Sequence, residues 1–230
     1  MIQMFYFPMP FILRSKKEFL FLRKNYMNLK YKYTKLLSNI GFKEKEIQHN
    51  WLDLEKAYSK KSRHYHNLVH IKDMIESYDL YFDKLKYPNE VLYAIFYHDY
   101  IYESSKKDNE LKSAEFAIEI LPKEISLNSE LIFDMICATQ MHQDNKVGDI
   151  NLLIDFDLKV LARDWDEYKI YFEQIRKEYR IYPDFLYKPG RVKALKHFLG
   201  NKFIFQTEEF RDLYEQRARK NIEKEILLLS

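Results

Sequence analysis

Hairpins and tight turns consume glycine, and this chain of 230 residues holds four, with six prolines. A sheet-rich chain spends more of both on its turns, and no long segment alternates apolar and polar residues with period two. The expected fold class is therefore all-α. Helical periodicity predicts helices over 15–39, 44–60, 66–84, 89–102, 109–121, 128–142, 150–162, 165–181, 189–199 and 207–229. Local signals agree: Gly41 stops the first helix, Pro88 suits a first helical turn, Asp108 is placed as an N-cap, and Gly200 as a C-terminal stop. Aromatic residues make up 17% of the chain, which predicts thick packing between helices.

The length and a hydrophobic fraction of 47% suit one domain with its own core. The net charge of +3 conceals an asymmetry. Residues 1–63 hold fourteen Lys and Arg against five Asp and Glu, so the front carries +9 and the remainder −6. The basic residues are scattered, which favours a solvated helical face over a nucleic-acid surface. The single cysteine, Cys137, excludes an intramolecular disulfide, reads as a small buried filler and suits a reducing cytoplasm. Met1–Leu13 is apolar apart from Gln3. That run is shorter than the roughly 20 residues of a spanning helix, and its first positive charge, Arg14, follows it, unlike a secretory signal. Residues 1–26 are expected to be an N-terminal extension, with Met27 as an alternative start, and 27–230 the helical domain.

Five of the seven histidines lie between positions 64 and 142, among aspartates. A helix over 66–84 would place His66, His70 and Met74 on one face. Val91, Ala94, Ile95, His98 and Tyr102 share an apolar face, so His98 points inward, where an unpaired imidazole is costly. Asp99 beside it makes a buried cation the simplest compensation. In the 150s, Asp157 lies with Leu153, Val160 and Leu161. Asp155 falls about 200° away around the helix. Asp157 is taken as the ligand, and Asp155 as hydrogen-bonding a ligand or capping a helix. Glu110 shares a face with Ala114 and Ala117, and His142 follows Met135 and Thr139. Each is either a second ion's ligand or a satisfied buried polar group. Arg63 either grips a phosphate or forms an ion pair at a helix start. His64 is expected to be exposed, and His49 and His197 to be ordinary.

The motifs RxYHNLxHI (from Arg63), AxxxHDxxYE (from Ala94), DNExxSAE (from Asp108), DxDL (from Asp155) and ARxN (from Ala218) resemble a bacterial family of predicted HD-superfamily hydrolases. The resemblance runs from about Leu36 to the C-terminus. It implies a single-domain helical bundle of the HD-domain and phosphodiesterase type with metal ligation by His70, His98, Asp99 and Asp157. Tyr65-His66-Asn67-x-x-His70 is also similar to the YHNxxH signature of cyclic nucleotide phosphodiesterases. That likeness implies His66 as the acid that protonates the leaving oxygen.

Competing chemistries fare worse. A zinc protease needs glutamate where Asn67 stands in HExxH, and the chain has no CxxC pair, Walker loop or GxGxxG. Mixed imidazole and carboxylate donors suit one or two divalent ions, with Mn, Fe, Co or Ni ahead of Mg. The expected activity is hydrolysis of a nucleotide or other small phosphate ester through a metal-activated water. The alternatives are an HD-fold di-iron oxygenase and a metal-stabilised regulatory or binding module without turnover.

Overall fold

In the computed structural model the described residues are 16–122, 124 and 126–229, and side chains are described from Tyr26 onward. Among them there is no strand. The chain runs α1 (Lys16–Asn39), α2 (Glu44–Tyr58), α3 (Leu68–Leu80), α4 (Pro88–Tyr97), α5 (Asn109–Glu119), α6 (Ser129–Met141), α7 (Gly148–Leu158), α8 (Trp165–Glu178), α9 (Asp184–Gly200), α10 (Glu208–Phe210) and α11 (Gln216–Leu229). Residues 1–15 of the expected extension lie outside the described residues. Its remainder forms the first turns of α1, which runs unbroken past Met27.

The element at the centre is α4. Every residue from Glu90 to Tyr97 is buried, because the run Val91–Tyr97 is apolar all round and has no solvent face to offer. It packs on α1, α3, α5, α6 and α7. Tyr33 of α1 closes one side, its ring 5.0 Å from Phe96 and 5.3 Å from Trp51 of α2. The Tyr33 and Tyr97 hydroxyls meet at 2.5 Å, so these buried rings keep their polar ends satisfied. Each such ring contributes on the order of 2 kcal/mol through burial. All helices belong to one bundle; α8 and α11 close it around the turn that follows α7, and α9 packs on α11. No described helix is long and apolar enough to cross a membrane.

Several local expectations hold. Gly41 ends α1 at φ +104°, a conformation that L side chains rarely adopt. Pro88 opens α4. Others change. Asp108 stands at the N-cap of α5, but its carboxylate pairs with Lys112 at 2.9 Å instead of capping. Helix α9 starts at Asp184 with Pro189 inside it. The proline sits early enough that its missing N–H frees only a carbonyl near the helix start. The expected single helix over 207–229 is interrupted by a π turn at Arg211–Glu215.

Candidate metal centre

Helix α3 begins at Leu68, two residues later than periodicity predicts. Asn67 is its N-cap: the side-chain oxygen accepts from Val69 N at 2.8 Å, while the amide donates to His64 O at 2.9 Å. His66 therefore stands on the turn before α3, not on its face. That turn still brings its ring within 6.0 Å of the His70 ring. His70 is on the first turn of α3 and buried.

Helix α4 stops at Tyr97 instead of continuing to 102, which puts His98 at its C-cap and Asp99 just beyond. The carbonyls freed there are taken by Arg63. Its guanidinium donates to Asp99 O at 2.6 Å, Tyr100 O at 2.7 Å and His66 O at 3.2 Å. A cation at a helix C-terminus is favourable for both its hydrogen bonds and its charge. Arg63 is 4% exposed and lies over the Tyr58 ring. It is turned into the protein, so neither the phosphate contact nor the helix-start ion pair expected of it is what the geometry displays. The next residues are tied to α5: Ser113 Oγ accepts from Ile101 N, and Asn109 brackets the backbone of Glu103. Asn109 and Ser113 of the DNExxSAE motif thus hold the loop that follows His98 and Asp99.

Four donor atoms from three segments meet in an arc. Asp99 Oδ2 is 3.1 Å from His98 Nε2, His98 Nε2 is 3.2 Å from His70 Nε2, and His70 Nε2 is 3.1 Å from Asp157 Oδ1. The wider spans are 3.9 Å from His70 to Asp99 and 4.0 Å from His98 to Asp157. His70, His98 and Asp99 form the tightest group, and Asp157 joins from the His70 side. Ligands about 2.1 Å from one ion stand about 3.0–3.4 Å apart when adjacent, in octahedral or tetrahedral order. The arc has that spacing. His98 Nδ1 donates to Ile95 O at 2.9 Å, which leaves Nε2 as the metal-facing nitrogen. Two buried imidazoles, the buried Asp99 carboxylate and the partly exposed Asp157 carboxylate fit a divalent cation.

The electrostatics call for positive charge there. Burial pushes His98 down, but the Asp99 and Asp157 carboxylates overcome it and hold the imidazole at about 9. Burial raises Asp99, yet His98, His66 and His70 keep it well below the usual carboxylate range. Asp157 is likewise held low against burial by His142 and His70.

Asp155 lies opposite, fully buried. Its carboxylate accepts from Gln206 N, Thr207 N and Thr207 Oγ1 at 2.6–2.8 Å, so it anchors the segment that opens α10. His142 is no longer helical. It follows α6 at φ +52°, the one non-glycine residue with positive φ among those described. Its Nε2 lies 3.1 Å from Asp157 Oδ2, and Gln206 holds its carbonyl at 2.9 Å. Glu110 is half-buried, and burial beside Asp99 raises its carboxyl against the opposing pull of His142 and His98.

Glu178, at the end of α8, was not singled out from the sequence. Its Oε1 accepts from the backbone N–H of His64, Tyr65 and His66 at 2.7, 2.7 and 3.0 Å. Its Oε2 takes Tyr102 Oη–H at 2.8 Å and lies 2.6 Å from His66 Nδ1. These donors and the His66 charge outweigh burial and lower Glu178 to about 2. Burial alone would lower His66, but Glu178, Asp99 and Asp157 raise it above its ordinary value.

Two cavities meet at Tyr65 and Asp157. One, of about 550 Å³, is lined by His66, His142 and Lys106 among others, and Asp157 is its only carboxylate among the described residues. The other, of about 510 Å³, borders His70 and carries five carboxylates. Its Arg163 and Arg217 are already paired with Asp73 and Asp164. The first cavity is therefore the one suited to an anion. Comparison with models of protein families, with curated proteins and with solved structures finds no match to this chain.

Proposed function

We propose that this chain is a metal-dependent hydrolase of small phosphate esters, with an HD-type donor set. The observation that carries the reading is the arc of His70, His98, Asp99 and Asp157 beside His66, which lines an anion-suited cavity and is held from behind by the buried Glu178. A divalent cation bound there supplies Lewis acidity and a water of lowered pKa. The protein's own part is acid catalysis. With Nδ1 held by Glu178, His66 keeps Nε2–H for the leaving oxygen. Giving up that proton leaves the neutral tautomer with Nδ1–H still on Glu178. Tyr102, hydrogen-bonded to the same carboxylate, and the three backbone amides fix the position of Glu178 through the transfer.

The cavity volume falls within the range of small-ligand sites, in keeping with a nucleotide or a smaller ester. The nucleotide assignment rests on resemblance. A di-iron oxygenase needs a second ion. The contact that points toward one is His142–Asp157, and it adds a single further donor beside the arc.

The test is a screen of phosphate monoesters and diesters with added manganese, cobalt or magnesium. His66→Ala is expected to keep the metal and lose about 10²–10⁴ in kcat, whereas Asp99→Ala loses metal and activity together. Full activity in His66→Ala removes the acid assignment. No turnover of any ester by metal-loaded protein removes the hydrolase reading and leaves the binding module.

A further inference from the structure

The cavity that receives His66 has a second polar end. Arg191 of α9 lines it, and its guanidinium is clamped from behind by Glu225 of α11: Nε meets Oε1 at 2.7 Å and Nη2 meets Oε2 at 3.1 Å. Glu225 is 1% exposed and also accepts the Tyr168 hydroxyl at 2.6 Å. A buried ion pair of this kind adds little net stability compared with apolar packing. What it does accomplish is orientation. A guanidinium has five N–H donors, and Glu225 occupies one edge of the fork. Arg191 Cζ also lies 5.5 Å from the Tyr171 ring centroid, Tyr171 is 4.7 Å from Tyr65, and Tyr65 is 4.8 Å from His70. A short wall of aromatic rings therefore connects the donor arc to Arg191.

From this arrangement we infer that Arg191 recognises a second acidic group on the substrate, a carboxylate or another phosphate carried by the part that leaves. The substrate class is then a small phosphate ester with a further anionic group, its apolar middle lying along Tyr65 and Tyr171. Lys106 and Lys107, which also line the cavity, favour entry of such a polyanion. The inference rests on the phosphohydrolase reading for the reacting end and on the cavity for the other end.

The experiment compares phenylphosphonate with 4-carboxyphenylphosphonate, binding each to manganese-loaded protein by calorimetry. Turnover of the two matching phosphate esters is measured alongside. The carboxylate-bearing probe is expected to bind at least about tenfold tighter, the scale of one charge-assisted, two-pronged contact. Arg191→Gln alone strands Glu225, so the neutral pair Arg191→Gln with Glu225→Gln is the informative variant, its fold checked by circular dichroism. In it the advantage is expected to vanish. Equal affinities in the unmodified protein, failure of both probes to bind, or an advantage that survives in the double variant each overturns the inference. Turnover of phenyl phosphate without a carboxylate advantage sinks the inference and spares the hydrolase. A binding advantage without turnover of either ester does the reverse.

Discussion

Glu178 and His66 are 112 residues apart in sequence, yet the Glu178 carboxylate lies 2.6 Å from His66 Nδ1 and also accepts the backbone amide of the same residue. One side chain thus fixes the position, tautomer and charge of the imidazole. The first prediction concerns Glu178→Gln. The amide oxygen can still accept backbone protons, so the fold survives with a loss of about 1–3 kcal/mol. The charge that raises His66 is gone, and its pKa falls. NMR titration of the His66 ring, or a shift of the alkaline limb of the kcat/KM profile to lower pH, checks this. An unmoved limb removes Glu178 from the catalytic account.

The same pair sets a pH window for stability. The folded pKa of His66 is raised above 6.5, so its contribution is complete below pH 6.5 and declines as pH rises through the folded value. Glu178 is lowered from 4.5 to about 2, so its contribution is complete above pH 4.5 and is lost as pH falls toward 2. The pair therefore stabilises most between about pH 4.5 and 6.5. Urea unfolding across pH 3–9 is expected to show the stability difference between the unmodified protein and the double variant His66→Gln, Glu178→Gln at its largest in this window and shrinking on either side of it.

Arg63 yields the third prediction. Arg63→Ala strands the buried carbonyl of Asp99 and the partly buried carbonyl of Tyr100, at a cost of about 3 kcal/mol. Because these carbonyls belong to the segment bearing Asp99, metal affinity falls with stability. KM for a phosphate ester measured at saturating metal is expected to stay within about twofold, since the guanidinium faces the backbone. A large KM increase at full metal occupancy restores Arg63 as a substrate contact.

The helices were readable because their faces repeat and their ends carry Gly41, Pro88 and Gly200. The arc was readable because buried imidazoles and carboxylates in one bundle demand each other. What periodicity lost lies at the ends. Extending α3 to His66 and α4 to Tyr102 hid the two breaks that the site uses, although Asn67 was an available N-cap signal. Glu178 was illegible for another reason: its partners are backbone amides, which leave no mark on sequence spacing. Glu225 and Arg191 are 34 residues apart on different helices, and only tertiary packing pairs them. The ARxN motif likewise acquires its meaning in three dimensions, where Asn221 holds the carbonyls of Leu161 and Arg163 just after α7.

The last prediction couples metal to folding. A cation that binds the arc stabilises only the folded chain, because donors from three segments do not meet in the unfolded one. At a free metal concentration about 100 times Kd the gain is about 2.7 kcal/mol, which for a chain of this size shifts Tm by about 5–10 °C. Chelation is expected to reverse the shift. In Asp99→Asn the shift is expected to shrink to under about 2 °C, because a neutral amide is a poor substitute for an anionic ligand. His66→Asn, which removes no atom of the arc, retains the full shift. Thermal scans with manganese, cobalt or magnesium and with chelator decide between these outcomes. A metal-induced shift of equal size in Asp99→Asn would mean that the cation binds elsewhere, and the hydrolase reading would fall with it.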